Sequence, residues 1–244
     1  MRKIEVCFTP ALLHLYDITD SIVVVIDIFR ATSSICYGID NGAEAIIPVA
    51  TVEACRGYCD HGFLLAAERN GEVVEGFDFG NSPFAYCHEK VAGRTVVLTT
   101  TNGTHAIDKS LSASQIVIGS FLNLTALSSW LSAQGQDVLL LCAGWKDKFN
   151  LEDTVFAGAV VNQLRDKEYQ LDDAAIAAED MYLQARPDLN AYLQKTSHSE
   201  RLKKLGIEED IRFCLNVDIC TSIPVLKGGR LVKLSTVDWQ LSAQ

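Results

Sequence analysis

The chain has 244 residues, which at roughly 100 to 200 residues per domain permits one large domain or two small lobes. Hydrophobic residues make up 48% and charged residues 21%, so a buried core is available and the composition is not that of a disordered chain. The formal net charge of -10 argues against nucleic acid, whose phosphate backbone calls for clustered Lys and Arg. It leaves room for a pocket in which a few cations and backbone N–H groups converge on a small anion. No stretch approaches the roughly 18 apolar residues of a membrane span, and residues 1–10 lack a basic segment followed by an apolar signal core. The expectation is a cytoplasmic protein with no membrane partner. The eight cysteines sit mostly in apolar runs, as buried free thiols do. Cys55, Cys59 and His61 lack the second half of a zinc site.

In chain order, residues 21–26 read as the first strand, and Ile22-Val23-Val24-Val25-Ile26 is apolar at every position, as in a strand buried on both faces. A helix over 31–41 ends at Gly42, a strand follows at 45–49, and a helix over 51–60 opens with a capping-box-like Thr51 and ends at Gly62. Strands at 63–67, 95–99, 115–118 and 137–142 follow, with helices over 105–111 and over 124–134, the latter with Asn123 as its N-cap. This alternation predicts an α/β fold, layered α/β/α, with a mainly parallel or mixed central sheet. Beyond Asn150 the pattern turns helical, over 151–165, 172–185, 188–195 and 200–205. Residues 223–226 and 230–234, around Lys227-Gly228-Gly229, predict a terminal β-hairpin. No repeat or linker marks a boundary, so one domain over 1–244 is expected, with a break near 150 if the chain is two-lobed.

In open α/β sheets, ligands bind beyond the carboxyl ends of the strands, and polar clusters follow several of the predicted ones. Asp27-Ile28-Phe29-Arg30-Ala31-Thr32-Ser33-Ser34 sets a carboxylate and a guanidinium at the mouth of a helix. Taken alone, these residues read as a cap and a surface charge. Glu68-Arg69-Asn70-Gly71 again pairs acid with base, and otherwise reads as an ion pair and a turn. In Gly76-Phe77-Asp78-Phe79-Gly80-Asn81-Ser82-Pro83, Ser82 can cap a helix begun by Pro83, whose free N–H groups would face an anion. Thr99-Thr100-Thr101-Asn102-Gly103-Thr104 is a hydroxyl- and amide-rich turn in which Gly103 lets backbone approach a phosphate.

After the strand at 137–142, Lys146 and Lys148 supply positive charge, and Glu152 and Asp153 open the next helix. Their default role is to offset the helix dipole. The alternative is hard oxygen ligation of magnesium, which takes one or two carboxylates plus water and phosphate oxygens. Near the C-terminus Asp210 and Asp218 stand among apolar residues, and Asp218 reads as the acid to suspect of burial, with a capping or salt-bridged carboxylate favoured over a catalytic one. Of the five histidines, His105 is the one next to a candidate turn. Phosphate-loop, dinucleotide, zincin and serine-hydrolase signatures are absent. Phe29 stands where a haloacid-dehalogenase phosphatase would carry a second Asp.

Taken in order, Val25-Ile26-Asp27-Ile28-Phe29-Arg30-Ala31-Thr32, Glu68-Arg69-Asn70-Gly71, Phe77-Asp78-Phe79-Gly80-Asn81-Ser82-Pro83, Thr100-Thr101-Asn102-Gly103-Thr104 and Cys142-Ala143-Gly144 with Glu152-Asp153 resemble the 2-phosphosulfolactate phosphatase family, from about Val6 to Leu234. The resemblance implies magnesium-dependent hydrolysis of 2-phosphosulfolactate, or a similar small anionic phosphoester, toward coenzyme M. It implies catalytic roles for Asp27, Arg30, Glu68, Arg69 and Asp153, and substrate contacts from Asn81, Ser82, Thr101, Asn102, Gly103, Thr104, Lys146 and Lys148. The magnesium ligands are then drawn from Asp27, Glu68, Glu152 and Asp153. A homo-oligomer is compatible with this reading. The alternative is a non-catalytic protein that binds a phosphorylated metabolite through the same turns.

Overall fold

The computed structural model describes residues 2–69, 72–165 and 167–235. Its strands are β1 (Arg2–Cys7), β2 (Ile22–Ile26), β3 (Ala45–Pro48), β4 (Leu64–Arg69), β5 (Glu72–Val73), β6 (Thr95–Thr99), β7 (Gln115–Gly119), β8 (Val138–Cys142), β9 (Tyr169–Leu171), β10 (Pro224–Lys227) and β11 (Arg230–Lys233). They form one sheet in the order β5-β4-β6-β3-β11-β10-β7-β2-β8-β1-β9. Two parallel blocks, β4-β6-β3 and β7-β2-β8-β1-β9, stand on either side of the hairpin β10–β11. That hairpin is antiparallel to both neighbours, with Val225 opposite Val117 and Leu231 opposite Ile46. The sheet is therefore mixed and mainly parallel, as the sequence pattern predicts. The last strands of the chain lie in its middle.

The helices are α1 (Ala31–Asp40), α2 (Val52–Arg56), α3 (His88–Val91), α4 (Gly103–Lys109), α5 (Leu124–Gln134), α6 (Leu151–Leu164), α7 (Asp173–Ala185), α8 (Leu189–Leu193), α9 (Ser197–Lys204) and α10 (Glu208–Cys214). Period-two alternation divides β2 between two cores. Ile22, Val24 and Ile26 pack with Trp130, Phe156 and Ala178 of α5, α6 and α7. Val23 and Val25 pack with Ile35 and Ile39 of α1 and Ile107 of α4. Helices on both faces explain why no position of β2 is polar, and each such side chain contributes about 1.5–3 kcal/mol on burial. No helix among the described residues is long and apolar enough to cross a membrane.

Several local expectations change. The helix read over 51–60 stops at Arg56, and a 3-10 turn, Cys59–His61, carries the chain to Gly62 at φ 71. Thr51 does cap α2, its Oγ1 accepting from the Ala54 N–H at 3.0 Å. Asn123 does not cap α5: its Oδ1 takes the Ser120 N–H and its Nδ2 donates to the carbonyls of Ile118 and Ser222. The cap comes from Asp218, which accepts from the N–H and hydroxyl of Thr125 at 2.7 Å each. Asp218 is exposed, which corrects its suspected burial. β1 was not read as a strand, although its alternation of charged positions with buried Ile4 and Val6 carries the period-two signal. β9 and α10 also went unread, and α9 begins three residues before the expected 200.

Candidate active site

Four segments that leave the sheet converge on one pocket of ≈ 120 Å³: the turn after β2, the end of β4, the turn after β6 and the loop after β8. Of the residues singled out by sequence, Asp27, Arg30, Glu68, Asn81, Thr101, Asn102 and Lys146 line it. The strand-end rule for α/β sheets thus locates most of its wall.

Asp27 directly follows β2 and is 6% exposed. Its peptide N–H donates to Thr32 Oγ1 at 3.0 Å and its carbonyl accepts the Thr32 N–H at 2.9 Å, fixing the entry into α1. The peptide N–H groups of Gly103 and Ala31 lie near its carboxylate and favour its charged form. A Cβ on Gly103 would lie 2.9 Å from Asp27 Oδ2 and 2.9 Å from Ala31 Cβ. Glycine is therefore what lets the turn after β6 reach the carboxylate.

Burial is the main cause that pushes the Asp27 carboxyl up to about 6, and the charge of Glu152 adds to it. The N–H groups of Gly103 and Ala31 pull the other way, as does His198 whenever it carries a proton on both nitrogens. Asp153 is raised well above its usual range, by burial first and then by the charges of Asp27 and Glu152. Neither Glu152 nor Asp153 behaves as a solvated first-turn acid, for both are 0% exposed. Asp153 accepts the Ile28 N–H at 2.9 Å and the Gly144 N–H at 3.1 Å, tying the turn after β2 to the loop after β8.

Arg30 is buried and pairs with two carboxylates, Glu68 at the end of β4 and Asp210 in α10. Ser82 donates its hydroxyl to the other oxygen of Asp210 at 3.1 Å. This replaces the expected cap: Pro83–Tyr86 forms only a 3-10 turn, and Ser82 makes no cap bond to it. Asn81 faces the pocket with its Oδ1 buried and unpartnered. Arg69 folds back to donate to the Glu68 carbonyl at 2.8 Å and is not in the pocket wall. The expected Asn70-Gly71 turn lies outside the described residues. Thr104 is tied to Thr100 by three hydrogen bonds and does not face the pocket, and Lys148 lines a neighbouring cavity.

The wall also holds residues that the sequence did not single out. His198, in the first turn of α9, lies with its Nδ1 2.6 Å from Glu152 Oε1. Arg201 NH2 lies 2.9 Å from His198 Nε2. A guanidinium only donates, so Nε2 accepts and Nδ1–H donates a hydrogen bond to Glu152 Oε1. Trp145 stands beside both cations, with Lys146 Nζ 4.8 Å and Arg201 Cζ 5.2 Å from its ring centroid. The loop that presents it turns through Lys146 and Asp147 at φ 51 and 57, and the Lys146 N–H donates to Asn102 Oδ1 at 3.2 Å. His105 faces a different cavity, 3.9 Å from Asp147.

A family profile described as 2-phosphosulpholactate phosphatase matches residues 7–229. A protein of Thermotoga petrophila is 43% identical over 206 residues, 84% of this chain and 89% of the relative. One of Caldanaerobacter subterraneus is 40% identical over 218 residues, 87% and 90% of the two chains, and one of Symbiobacterium thermophilum is 35% identical over 224, 89% and 96%. All three bear the description probable 2-phosphosulfolactate phosphatase. The chain belongs to the 2-phosphosulfolactate phosphatase family.

Four of the five ordered clusters that suggest this family in the sequence place a residue on the pocket wall, through Asp27 and Arg30, Glu68, Asn81, and Thr101 and Asn102. Among the described residues no group of three or more His, Cys, Asp or Glu is arranged to enclose a metal ion. What the pocket offers is two hard carboxylates, Asp27 and Glu68, one of them held in a buried, electrostatically strained setting. Behind them Glu152 Oε2 is buried without a partner. That donor set does not suit a zinc cage, but it fits magnesium, which keeps several waters and needs one or two protein carboxylates.

Proposed function

We propose that this chain is a phosphoric monoester hydrolase that cleaves 2-phosphosulfolactate, or a closely similar small anionic phosphoester, in the pocket at the strand ends. The observation that carries this reading is Asp27: a buried carboxyl pushed up to about 6, on the pocket wall with Arg30 and Lys146 beside it. A group that titrates near neutrality can both take and return a proton. In hydrolysis the water oxygen bonds to phosphorus as the ester P–O bond breaks. Asp27 takes the proton that water gives up and returns it to the departing alkoxide. Asn102 and Thr101 bind phosphoryl oxygens, Lys146 adds positive charge to the substrate side of the pocket, and Glu68 and Asp210 hold Arg30 in place. Electrostatic positioning of this kind is the main contribution that a protein makes to phosphoryl transfer.

Magnesium is the proposed cofactor; Glu68 would hold it together with water and phosphate oxygens, leaving Asp27 free to exchange the proton, and when bound it supplies Lewis-acid neutralisation of phosphoryl charge. The test is release of inorganic phosphate from 2-phosphosulfolactate and a panel of small phosphoesters, with magnesium present or chelated. Release that requires magnesium supports the whole reading, and release indifferent to chelation removes the metal from it. Tight binding of the esters with no release would instead select a non-catalytic phosphometabolite-binding protein.

A further inference from the structure

Beyond Trp145, His198 and Arg201 the pocket adjoins a second cavity of ≈ 650 Å³, and these three residues line both. Arg201 is the guanidinium that both cavities share. Its NH2 group is committed to His198 and its Cζ lies over the Trp145 ring, 5.2 Å from the centroid, so its position is set from two sides. Yet its charge is uncommitted. Among the described residues no carboxylate forms an ion pair with it, and its Nε–H is buried without an acceptor. Arg30, by contrast, is already paired with two carboxylates.

A buried donor left unmet is costly, and the planar guanidinium of an Arg is shaped to meet a forked oxyanion. The second cavity continues the positive character, with Lys148 and Lys195 on its wall beside the apolar Phe149. Its one carboxylate, Glu152, is wholly buried and engaged with His198. The phosphoryl group is accounted for by the residues that follow β2 and β6. What remains is the part of the molecule that the phosphate is attached to.

We propose that Arg201 binds the acid group, carboxylate or sulfonate, on the carbon skeleton of the phosphoester, and that the larger cavity receives that skeleton. This rests on the hydrolase reading and assigns the specificity of the same site. Arg201 then selects acid-bearing phosphoesters over neutral ones and takes no part in breaking the P–O bond.

The test compares wild type with Arg201→Gln on 2-phosphosulfolactate and on glycerol 2-phosphate, which carries its ester at the same position of an uncharged skeleton. The expected result is a fall of roughly 10- to 100-fold in the preference for the acid-bearing ester, the size of one charge-assisted contact, expressed mainly in KM. Arg201→Lys, which keeps the charge without the fork, recovers part of that preference. Equal losses on both esters would overturn the proposal, because Arg201 would then serve the phosphoryl group or the fold. Calorimetric titration of both proteins with both esters reads the subsite even if no phosphate is released. Selective weakening of the acid-bearing ester supports the subsite, and equal weakening overturns it. Absence of release then counts against the hydrolase reading alone.

Discussion

Asp27 and Arg30 reach the pocket from the end of β2, nearly wholly buried, with the carboxylate beside backbone N–H groups and the guanidinium paired with carboxylates from β4 and α10. Trp145 and Lys146 reach it from an exposed loop, and Arg201 from the half-buried face of α9. Ring–cation contacts, a hydrogen bond from Arg201 to His198 and one from the Lys146 N–H to Asn102 hold that side together. The first wall shares its packing with the sheet, so it moves only if the core moves. The second has few buried contacts and can adjust to what it meets. A reacting centre needs the first kind of support and the recognition of a skeleton tolerates the second. Substitutions on the two walls should therefore differ in kind.

The largest effect falls on the buried wall. Asp27→Asn keeps the shape and removes the acid/base function, so kcat should fall by roughly 10²- to 10⁴-fold with the fold intact. Stability should move the opposite way. The folded carboxyl sits at about 6 against an ordinary 3.8, so its contribution to stability is fully present below 3.8 and is lost as pH rises through about 6. Asparagine carries no charge to bury. In metal-free buffer its Tm should exceed that of wild type at pH 8, with the gain shrinking toward pH 4. A gain that does not change with pH would mean that burial of the Asp27 charge is not what strains this wall.

Gly103→Ala probes the same wall by crowding. The added methyl would press on Asp27 Oδ2 and Ala31 Cβ, each 2.9 Å away, and overpacking of this sort costs about 1–3 kcal/mol. Displacing the carboxylate by a few tenths of an ångström should also lower kcat by roughly 10- to 100-fold. Thermal melts and phosphate release read the two effects separately. A stable, fully active Ala variant would show that the turn after β6 gives way more easily than its packing suggests.

The same division governs what the sequence discloses. β2 and Asp27 are adjacent in the chain, so a fully apolar strand followed by an acid can be read directly. Glu152 and Asp153 are also visible, but a first-turn acid on a helix is by default a solvated cap. Only the burial of α6 under the sheet turns them into interior charges. His198 stands in a polar Ser-His-Ser-Glu run with nothing local to mark it, and its partner Glu152 is 46 residues away. Asp210 meets Arg30 across 180 residues, a separation over which composition and periodicity carry no information. Asn123 loses its expected capping role for the same reason, since the acid that caps α5 is Asp218, 93 residues away. Strand ends are local features. The wall built by the C-terminal helices is wholly a product of tertiary packing.

Trp145→Ala should have the smallest effect, and that smallness is what the contrast between the walls requires. The ring is 36% exposed and contributes little to the core. Its contacts with Lys146 and Arg201 are of a kind worth about 0.5–1 kcal/mol at exposed sites. Its loss should leave Tm nearly unchanged, because substitutions away from the core usually stay within about 0.5 kcal/mol. Arg201 would keep its hydrogen bond to His198 but lose the ring that its Cζ lies over. KM for an acid-bearing ester should therefore rise only about 2- to 5-fold, with kcat close to wild type. Steady-state kinetics on Trp145→Ala beside Asp27→Asn makes the comparison directly. A fall in kcat approaching that of Asp27→Asn would mean that the loop after β8 bears on the reacting atoms, and the division between a rigid reacting wall and an adaptable recognising one would fail.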